Sequence, residues 1–288
     1  MTFVNAKINI GLDIVARRED GYHELNTVFY PVGLHAGQPE NPVPFCDILE
    51  VTPMPVGKPN EVFYEFYGNP VGCTLDKNLV ARAANAFCNS LPEPVDALRI
   101  ALEKHIPDQA GMGGGSADAA FTLMLLNEYL GQPKTEEELL EMALKLGADC
   151  PFFIKNTPCY AEGVGEKLEE IPLDLSGYWL AIAKPALCIS TKEAFAGVTP
   201  RRPEIPLREA IMRPIAEWND CIRNQFEESL FPNHPELREL KEGMYRSGAL
   251  YASMTGSGSV VYGIFPTREA AEKAVAENPA AYSNVLLL

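Results

Sequence analysis

Positive charge is scarce in this sequence. Its 288 residues carry 24 Lys and Arg against 39 Asp and Glu, a formal net charge of −15. Nucleic acid is therefore not an expected partner, because phosphate backbones are bound by clustered cations. Any anionic substrate must be held by local positive features, since the long-range field opposes its approach. No run of 18 apolar residues occurs, so no membrane span is expected. The first residues lack the charged-then-apolar order of a secretory leader, and none is expected. Seven cysteines lie scattered at 46, 73, 88, 150, 159, 188 and 221, without a C-x-x-C pair. Neither a disulfide framework nor a zinc site is indicated, and a reducing cytoplasm is the expected location. Internal repeats and low-complexity tracts are absent as well.

One stretch organises what is present. From Gly111 to Gly115, four of five residues are glycine, and Ser116-Ala117-Asp118-Ala119-Ala120 follows. Ala120, Leu123, Met124, Asn127 and Leu130 then recur at spacings of three and four, the apolar stripe of a core-facing helix with Asn127 as its polar member. Glycines that run into a helix start make a ready anion site. The first amides there have no helical partner, the helix dipole is positive, and glycine lets the backbone approach a ligand. The loop is not a Walker A motif, because no Gly-Lys-Ser/Thr follows. It is a poor dinucleotide fingerprint too, because Ser116 stands where the last glycine belongs.

The remaining sequence frames this loop. Along residues 3–16, Ile8, Ile10, Leu12 and Ile14 share one strand face, and Lys7, Asn9, Gly11 and Asp13 share the other, which is expected to open toward a cleft or solvent. Asp20-Gly21 is a hairpin signal, and Tyr22-His23 opens the return strand. Further strands are expected near 47–51, 62–67 and 97–102, a helix near 79–88, and Pro-rich loops at 39–44 and 53–59. Thr135 with Glu138 forms a capping box for a helix that ends at Gly147. Asp149, followed by Cys150-Pro151, is placed like a helix cap. In the second half, Tyr178 to Ala183 reads as a strand and Ser190-Thr191 with Glu193 as a helix start. Helices are expected near 207–217, 219–230 and 235–247. The strands Ala249 to Met254 and Val260 to Phe265 flank a second small-residue loop, Thr255 to Ser259, and a helix from Thr267 to Glu277 precedes a last strand. At 47% apolar residues a sizeable core is assured, and the rhythm is α+β in two lobes, 1–155 and 156–288.

The strand with Lys7, the loop from Pro107 to Ala120 and the late loop from Met254 to Ser259 together resemble the GHMP kinase superfamily. Ala6-Lys7-Ile8-Asn9, Asp20-Gly21-Tyr22-His23-Glu24-Leu25 and Gly147-Ala148-Asp149-Cys150-Pro151-Phe152 narrow the resemblance to its 4-diphosphocytidyl-2-C-methyl-D-erythritol kinases. The glycine loop specifies only the superfamily; the Asp20-Gly21-Tyr22-His23 run and the Gly147-Ala148-Asp149-Cys150-Pro151 run are the specific part. The resemblance implies a ribosomal protein S5 domain 2-like N-terminal lobe and a ferredoxin-like C-terminal lobe. It also implies ATP-dependent phosphorylation of a cytidine diphosphate alcohol in the non-mevalonate isoprenoid route, with magnesium as cofactor. Lys7 and Asp149 are implied as the catalytic pair facing the transferring phosphoryl group. Pro107, Ala110, Gly111, Met112, Gly113, Gly114, Gly115, Ser116 and Asn78 are implied around ATP, with the Ser116 hydroxyl or a phosphate oxygen near the metal. Asn9, Tyr22, His23, Thr191, Phe195, Gly256 and Ser257 are implied around the substrate. There Tyr22 and Phe195, from different lobes, would sandwich the base while His23 reads its edge.

The sequence departs from the family pattern in places. Asp108-Gln109 stands where small or apolar residues are usual, Met112 replaces the usual leucine, and Ala117 removes one of two hydroxyls. The partners expected are small molecules only, with no nucleic acid and no membrane, and the chain is expected as a monomer or weak homodimer. Two other readings stand beside this one: another GHMP small-molecule kinase, of homoserine or mevalonate type, and a catalytically silent nucleotide-binding sensor. The Tyr22-His23 and Phe195 platform separates the first, since a base-free substrate needs none. The retained Lys7 and Asp149 speak against the second.

Overall fold

Clean alternation in the sequence becomes strand, and clean spacing of three and four becomes helix. The structure, a computed structural model, describes residues 1–33 and 45–288. The Pro-rich stretch 39–44, expected as a loop, lies outside them. The chain begins with β1 (Thr2–Val4), β2 (Ala6–Arg17), β3 (His23–Val32), β4 (Asp47–Pro53) and β5 (Val62–Gly68), followed by α1 (Leu79–Asn89) and β6 (Leu98–Lys104). Then come α2 (Gly114–Tyr129), α3 (Glu136–Leu146), α4 (Cys150–Lys155), β7 (Cys159–Glu162), β8 (Lys167–Glu170) and β9 (Trp179–Lys184). The short helices α5 (Thr191–Ala196), α6 (Leu207–Ala210), α7 (Trp218–Cys221) and α8 (Phe226–Leu230) follow, with a 3₁₀ turn at Ile215–Glu217. α9 (Pro235–Arg246), β10 (Tyr251–Met254), β11 (Val261–Phe265), α10 (Arg268–Glu277) and β12 (Tyr282–Leu287) complete it. Among the described residues no helix is long and apolar enough to cross a membrane.

Two compact units form. The first comprises Met1–Ala6, Phe45–Asp108 and Gly113–Thr157. Its sheet runs β1-β4-β6-β5, antiparallel except for the parallel β5–β6 pair. α2 packs against α1, α3, α4, β1 and β4. The single apolar stripe expected for it is too narrow. Ala117, Ala119, Ala120, Thr122, Leu123 and Leu126 are all fully buried, so small residues surround the helix on most sides and let its neighbours close in. Asn127 earns its place by capturing the following turn: its carboxamide donates to the Lys134 carbonyl and accepts from the Lys134 amide.

The second unit comprises the described part of Lys7–Pro44, with Gln109–Met112 and Pro158–Leu288. One sheet runs β2-β3-β7-β8 and the other β10-β11-β9-β12. The latter is antiparallel throughout, with α9 and α10 packed on it, the split βαβ arrangement of a ferredoxin-like layer. Its core includes Ala181, Ala183, Met244, Val261, Phe265, Ala271 and Ala274.

The expected helices 207–217 and 219–230 are broken up. Pro214 interrupts the first, since it has no amide to donate. The second stops because Ile222 turns extended, with φ −113° and ψ 127°. The next residues then bond to β2: Leu12 N–H donates to Arg223 O, and Gln225 N–H to Leu12 O, at 2.9 and 2.8 Å. A tertiary backbone pairing outweighs local helix propensity there.

The Thr135–Glu138 capping box is present in both directions. Thr135→Ala should lower the unfolding free energy by about 0.5–2 kcal/mol, read as a shift in the urea midpoint. An unchanged midpoint would show that the box holds nothing.

Candidate active site

In the second unit, β2 buries both of its faces. Lys7 and Asn9, expected on a face open to a cleft or solvent, are 3% and 2% exposed. Alternation had shown which residues share a face, not which face is covered. A buried ammonium must be held by oriented polar groups, and Asn9 is one of them: its Oδ1 accepts from Lys7 Nζ at 2.5 Å. The Phe29 ring lies beneath the same ammonium, its centroid 4.9 Å away.

Asn9 is held in turn from several sides. Its Nδ2 donates to Thr27 Oγ1 at 2.9 Å, and the Thr27 hydroxyl donates to Gly11 O at 2.6 Å. Its carbonyl accepts from the Tyr262 hydroxyl at 2.8 Å, and its amide donates to Thr255 Oγ1 at 3.0 Å. The Thr255 hydroxyl donates to Gly111 O at 3.1 Å, and Lys7 N–H donates to Met112 O at 3.0 Å. The two glycine-rich loops, separate in the sequence, are thus tied together around the Lys7–Asn9 pair. Ser259 and Val260 add backbone bonds to Gln109 O and Ala110 O. Gly111 admits no substitute in this arrangement. Its φ is +71°, and an added Cβ would lie 2.0 Å from Thr255 O. Ala110 and Met112 are buried beside it, whereas Asp108 and Gln109 are exposed. Thr255, Thr27 and Tyr262 were not singled out in the sequence. A threonine opening a small-residue loop was the available signal for the first.

The aromatic platform differs from expectation. His23 and Phe195, expected on different lobes, stack within this unit at 4.6 Å between centroids and 17° between planes. The Phe226 ring meets Phe195 edge-on at 4.8 Å. Tyr22 is 64% exposed, and its amide donates to Asp20 Oδ1 in the hairpin turn. Thr191 is the exposed first residue of α5, capped by Ser190. Gly256 is buried and Ser257 half-buried in the second loop.

In the first unit, Gly113 caps α2 in the left-handed region, with φ 72°. The helix's first hydrogen bond runs from Ala117 N–H to Gly113 O at 2.8 Å. The amides of residues 114–116 come before it, which is the arrangement that favours an anion. Pro107 is half-buried ahead of the loop. Asn78 caps α1, its Oδ1 accepting from Val80 N–H at 2.9 Å and Ala81 N–H at 3.4 Å. Asp149 precedes α4 as expected, but its side chain makes no capping hydrogen bond and its backbone is already helical. It is half-buried. Burial pushes the thiol of Cys150 beside it up to about 12, against a hydrogen bond with the Ser116 side chain. That bond brings the start of α2 next to the start of α4. Among the described residues no cluster of three His, Cys, Asp or Glu could hold a metal.

A further ionic cluster went unread in the sequence. Lys104 Nζ donates to Asp118 Oδ2 at 2.6 Å and to Asp47 Oδ2. Asp47 Oδ1 accepts from the amides of His105 and Ile106, at 2.6 and 2.8 Å. Asp118, 3% exposed, has its Oδ1 buried with no hydrogen-bond partner. Burial pushes its carboxyl up to about 8, against the pull of Lys104 and with a further push from Asp47.

Residues 78–156 match the family described as GHMP kinases N terminal domain, and residues 207–284 match GHMP kinases C terminal. The chain is 46% identical over 265 residues to a 4-diphosphocytidyl-2-C-methyl-D-erythritol kinase of Bacteroides thetaiotaomicron, covering 92% of each protein. It is similar to a crystal structure of 4-(cytidine 5'-diphospho)-2C-methyl-D-erythritol kinase at 32% identity and TM-score 0.77, covering 100% of this chain and 99% of that one. A homoserine kinase from Cytophaga hutchinsonii shares the fold, with TM-score 0.69 at 17% identity, covering 99% of this chain and 94% of that one.

The buried Asp118 has a pH signature. With its carboxyl raised from 3.8 to about 8, the folded state keeps a proton that the unfolded chain gives up. Its contribution to stability is full below the ordinary carboxylate range and is lost as pH rises through about 8. Asp118→Asn cannot ionise, so urea midpoints of the variant should gain on the wild type as pH rises across that window. Parallel curves for the two proteins would contradict the assignment.

Proposed function

The chain belongs to the GHMP kinases and, within them, to the 4-diphosphocytidyl-2-C-methyl-D-erythritol kinase family, and on that premise we propose how its residues divide the work. It phosphorylates the 2-hydroxyl of 4-(cytidine 5'-diphospho)-2-C-methyl-D-erythritol, in the non-mevalonate route to isoprenoid precursors, with ATP as phosphoryl donor. The observation that carries the site assignment is the Lys7 ammonium, buried and held by Asn9 between two glycine-rich loops.

Phosphoryl transfer passes through a loose transition state, so positioning and charge neutralisation do most of the work. Lys7 supplies a fixed positive charge for the developing negative charge. Asn9 was expected to touch substrate. With its carboxamide given to Lys7 and Thr27, we assign it instead the task of aiming the ammonium. Asp149, relieved of capping, orients the attacking hydroxyl or takes its proton. The amides at the start of α2 hold the ATP phosphates. Asn78 supports the nucleotide side by fixing the start of α1. The Ser116 hydroxyl at the start of α2 is a hard oxygen donor of the kind magnesium takes, and it would be the protein ligand to an ion carried by the triphosphate. Bound there, magnesium would supply further neutralisation of phosphate charge. The cytosine binds against Phe195, on the face His23 covers in this structure. Tyr22 closes on the base from outside, and His23 turns to its edge. Thr191, Gly256 and Ser257 complete the substrate side. A reducing, cytoplasmic setting accords with seven free cysteines, and a monomer or weak homodimer is the proposed assembly.

ATP turnover against a panel of alcohols, with and without a cytidine diphosphate group, tests the reading. Turnover should require that group; equal turnover of base-free methylerythritol phosphate would contradict it. Asp149→Asn should lower kcat by on the order of 10²–10⁴ while ATP binding holds, and near-normal kcat would remove Asp149 from the chemistry. Phe195→Ala should raise KM for the cytidine substrate roughly tenfold to a hundredfold, from a stacking contribution of ~1–3 kcal/mol. Its kcat should hold, because base binding is common to ground and transition states. An unchanged KM would take the base away from Phe195.

A further inference from the structure

The break in the expected helix at 219–230 places one side chain where a helix could not. Residues 223–225 lie alongside β2, with Asn224 in a parallel bridge to Leu12. Gln225 locks the register: its Oε1 accepts from Ile14 N–H at 2.7 Å, and its Nε2 donates to Thr199 O at 2.8 Å. Asn224, 1% exposed, is thereby set against the second small-residue loop. Its Nδ2 donates to Met254 O at 2.7 Å and to Gly256 O at 2.8 Å, while its Oδ1 accepts from Phe226 N–H at 3.0 Å. Both amide hydrogens and the carbonyl are used, so the carboxamide has one orientation.

The two carbonyls that Asn224 holds stand on either side of Thr255, the residue whose hydroxyl joins Asn9 to Gly111. Fixing both fixes the backbone that aims this hydroxyl. A planar trans peptide also points its N–H opposite its C=O, so the bond to Gly256 O turns the Ser257 amide away from Asn224. We propose that Asn224 is a positioning residue of the kinase site: it sets the 254–257 backbone so that Thr255 holds Asn9, and through Asn9 the Lys7 ammonium. Asn224 itself touches no reacting atom. The inference rests on the reading of Lys7 as a catalytic residue.

Asn224→Asp keeps the size of the side chain and replaces the double donor by an oxygen facing two carbonyls. In folded protein its kcat for the cytidine diphosphate alcohol should fall by about tenfold to a hundredfold, the scale of loss from a small misplacement of catalytic groups. Because Asn224 acts through Thr255, the double variant with Thr255→Val should be no slower than the slower single variant. A purely structural Asn224 would give losses that multiply. Thr135→Ala, destabilised in the other unit, serves as a control and should keep wild-type kcat. Should Asn224→Asp not fold, Asn224→Ser enters the same cycle with the same expectation. The inference is overturned if the single variant keeps kcat within about twofold of wild type, or if the two losses multiply. If the wild type itself fails to turn over the cytidine substrate, the kinase reading falls first, so the two failures are distinguishable.

Discussion

A buried ammonium is the constraint on which the rest of the second unit depends. Removing a cation from water is costly, and the cost is borne only where oriented groups replace the lost hydration. Asn9 gives Lys7 an oxygen at 2.5 Å, and Thr27, Thr255 and Tyr262 fix Asn9 in turn. Each of these residues is itself hydrogen-bonded or packed in the core. Gly111 must be glycine because Thr255 O occupies the space a Cβ would fill. Gly111 and Gly256, one from each loop, thus serve close packing of backbone on backbone beside that charge.

This arrangement answers the problem set by composition. A chain with net charge −15 repels anionic substrates at a distance. The groups we propose for binding are short-range devices: the helix-start amides at residues 114–116 in the first unit, and in the second the Lys7 ammonium and the stacking surface of Phe195. All three act within a few ångströms, where the overall field counts least. The cluster of Lys104, Asp47 and Asp118 shows the complementary cost. One cation stands between two buried carboxyl groups, and Asp118 is left with an unpartnered oxygen and a carboxyl raised to about 8.

Much of the fold was legible because local rules governed it. The glycine run leading into α2, the Thr135–Glu138 box and the strand alternation of β2 are all found where local pattern put them. Pairings between distant segments were not legible. Nothing local says that residues 223–225 abandon a helix to bond β2, or that both faces of β2 are covered. The site shows the same division. Asp149 is singled out by its motif, and only the structure shows that its side chain does not cap α4. His23 was read as an edge reader, and the structure stacks it on Phe195. Thr255 and Asn224 act through backbone carbonyls, which leave no mark in a sequence pattern.

The claim that Lys7 is buried for chemistry and not for stability is tested most directly by Lys7→Met, which keeps the length and removes the charge. Steady-state kinetics on ATP and the cytidine diphosphate alcohol would be measured beside a thermal melt of the same preparation. We predict a fall in kcat on the order of 10²–10³, the scale seen when a transition-state charge partner is removed. The melting temperature should be unchanged or higher, since an apolar side chain suits a buried position. A variant that keeps kcat within about tenfold of wild type, or that loses activity only because it unfolds, would contradict the account.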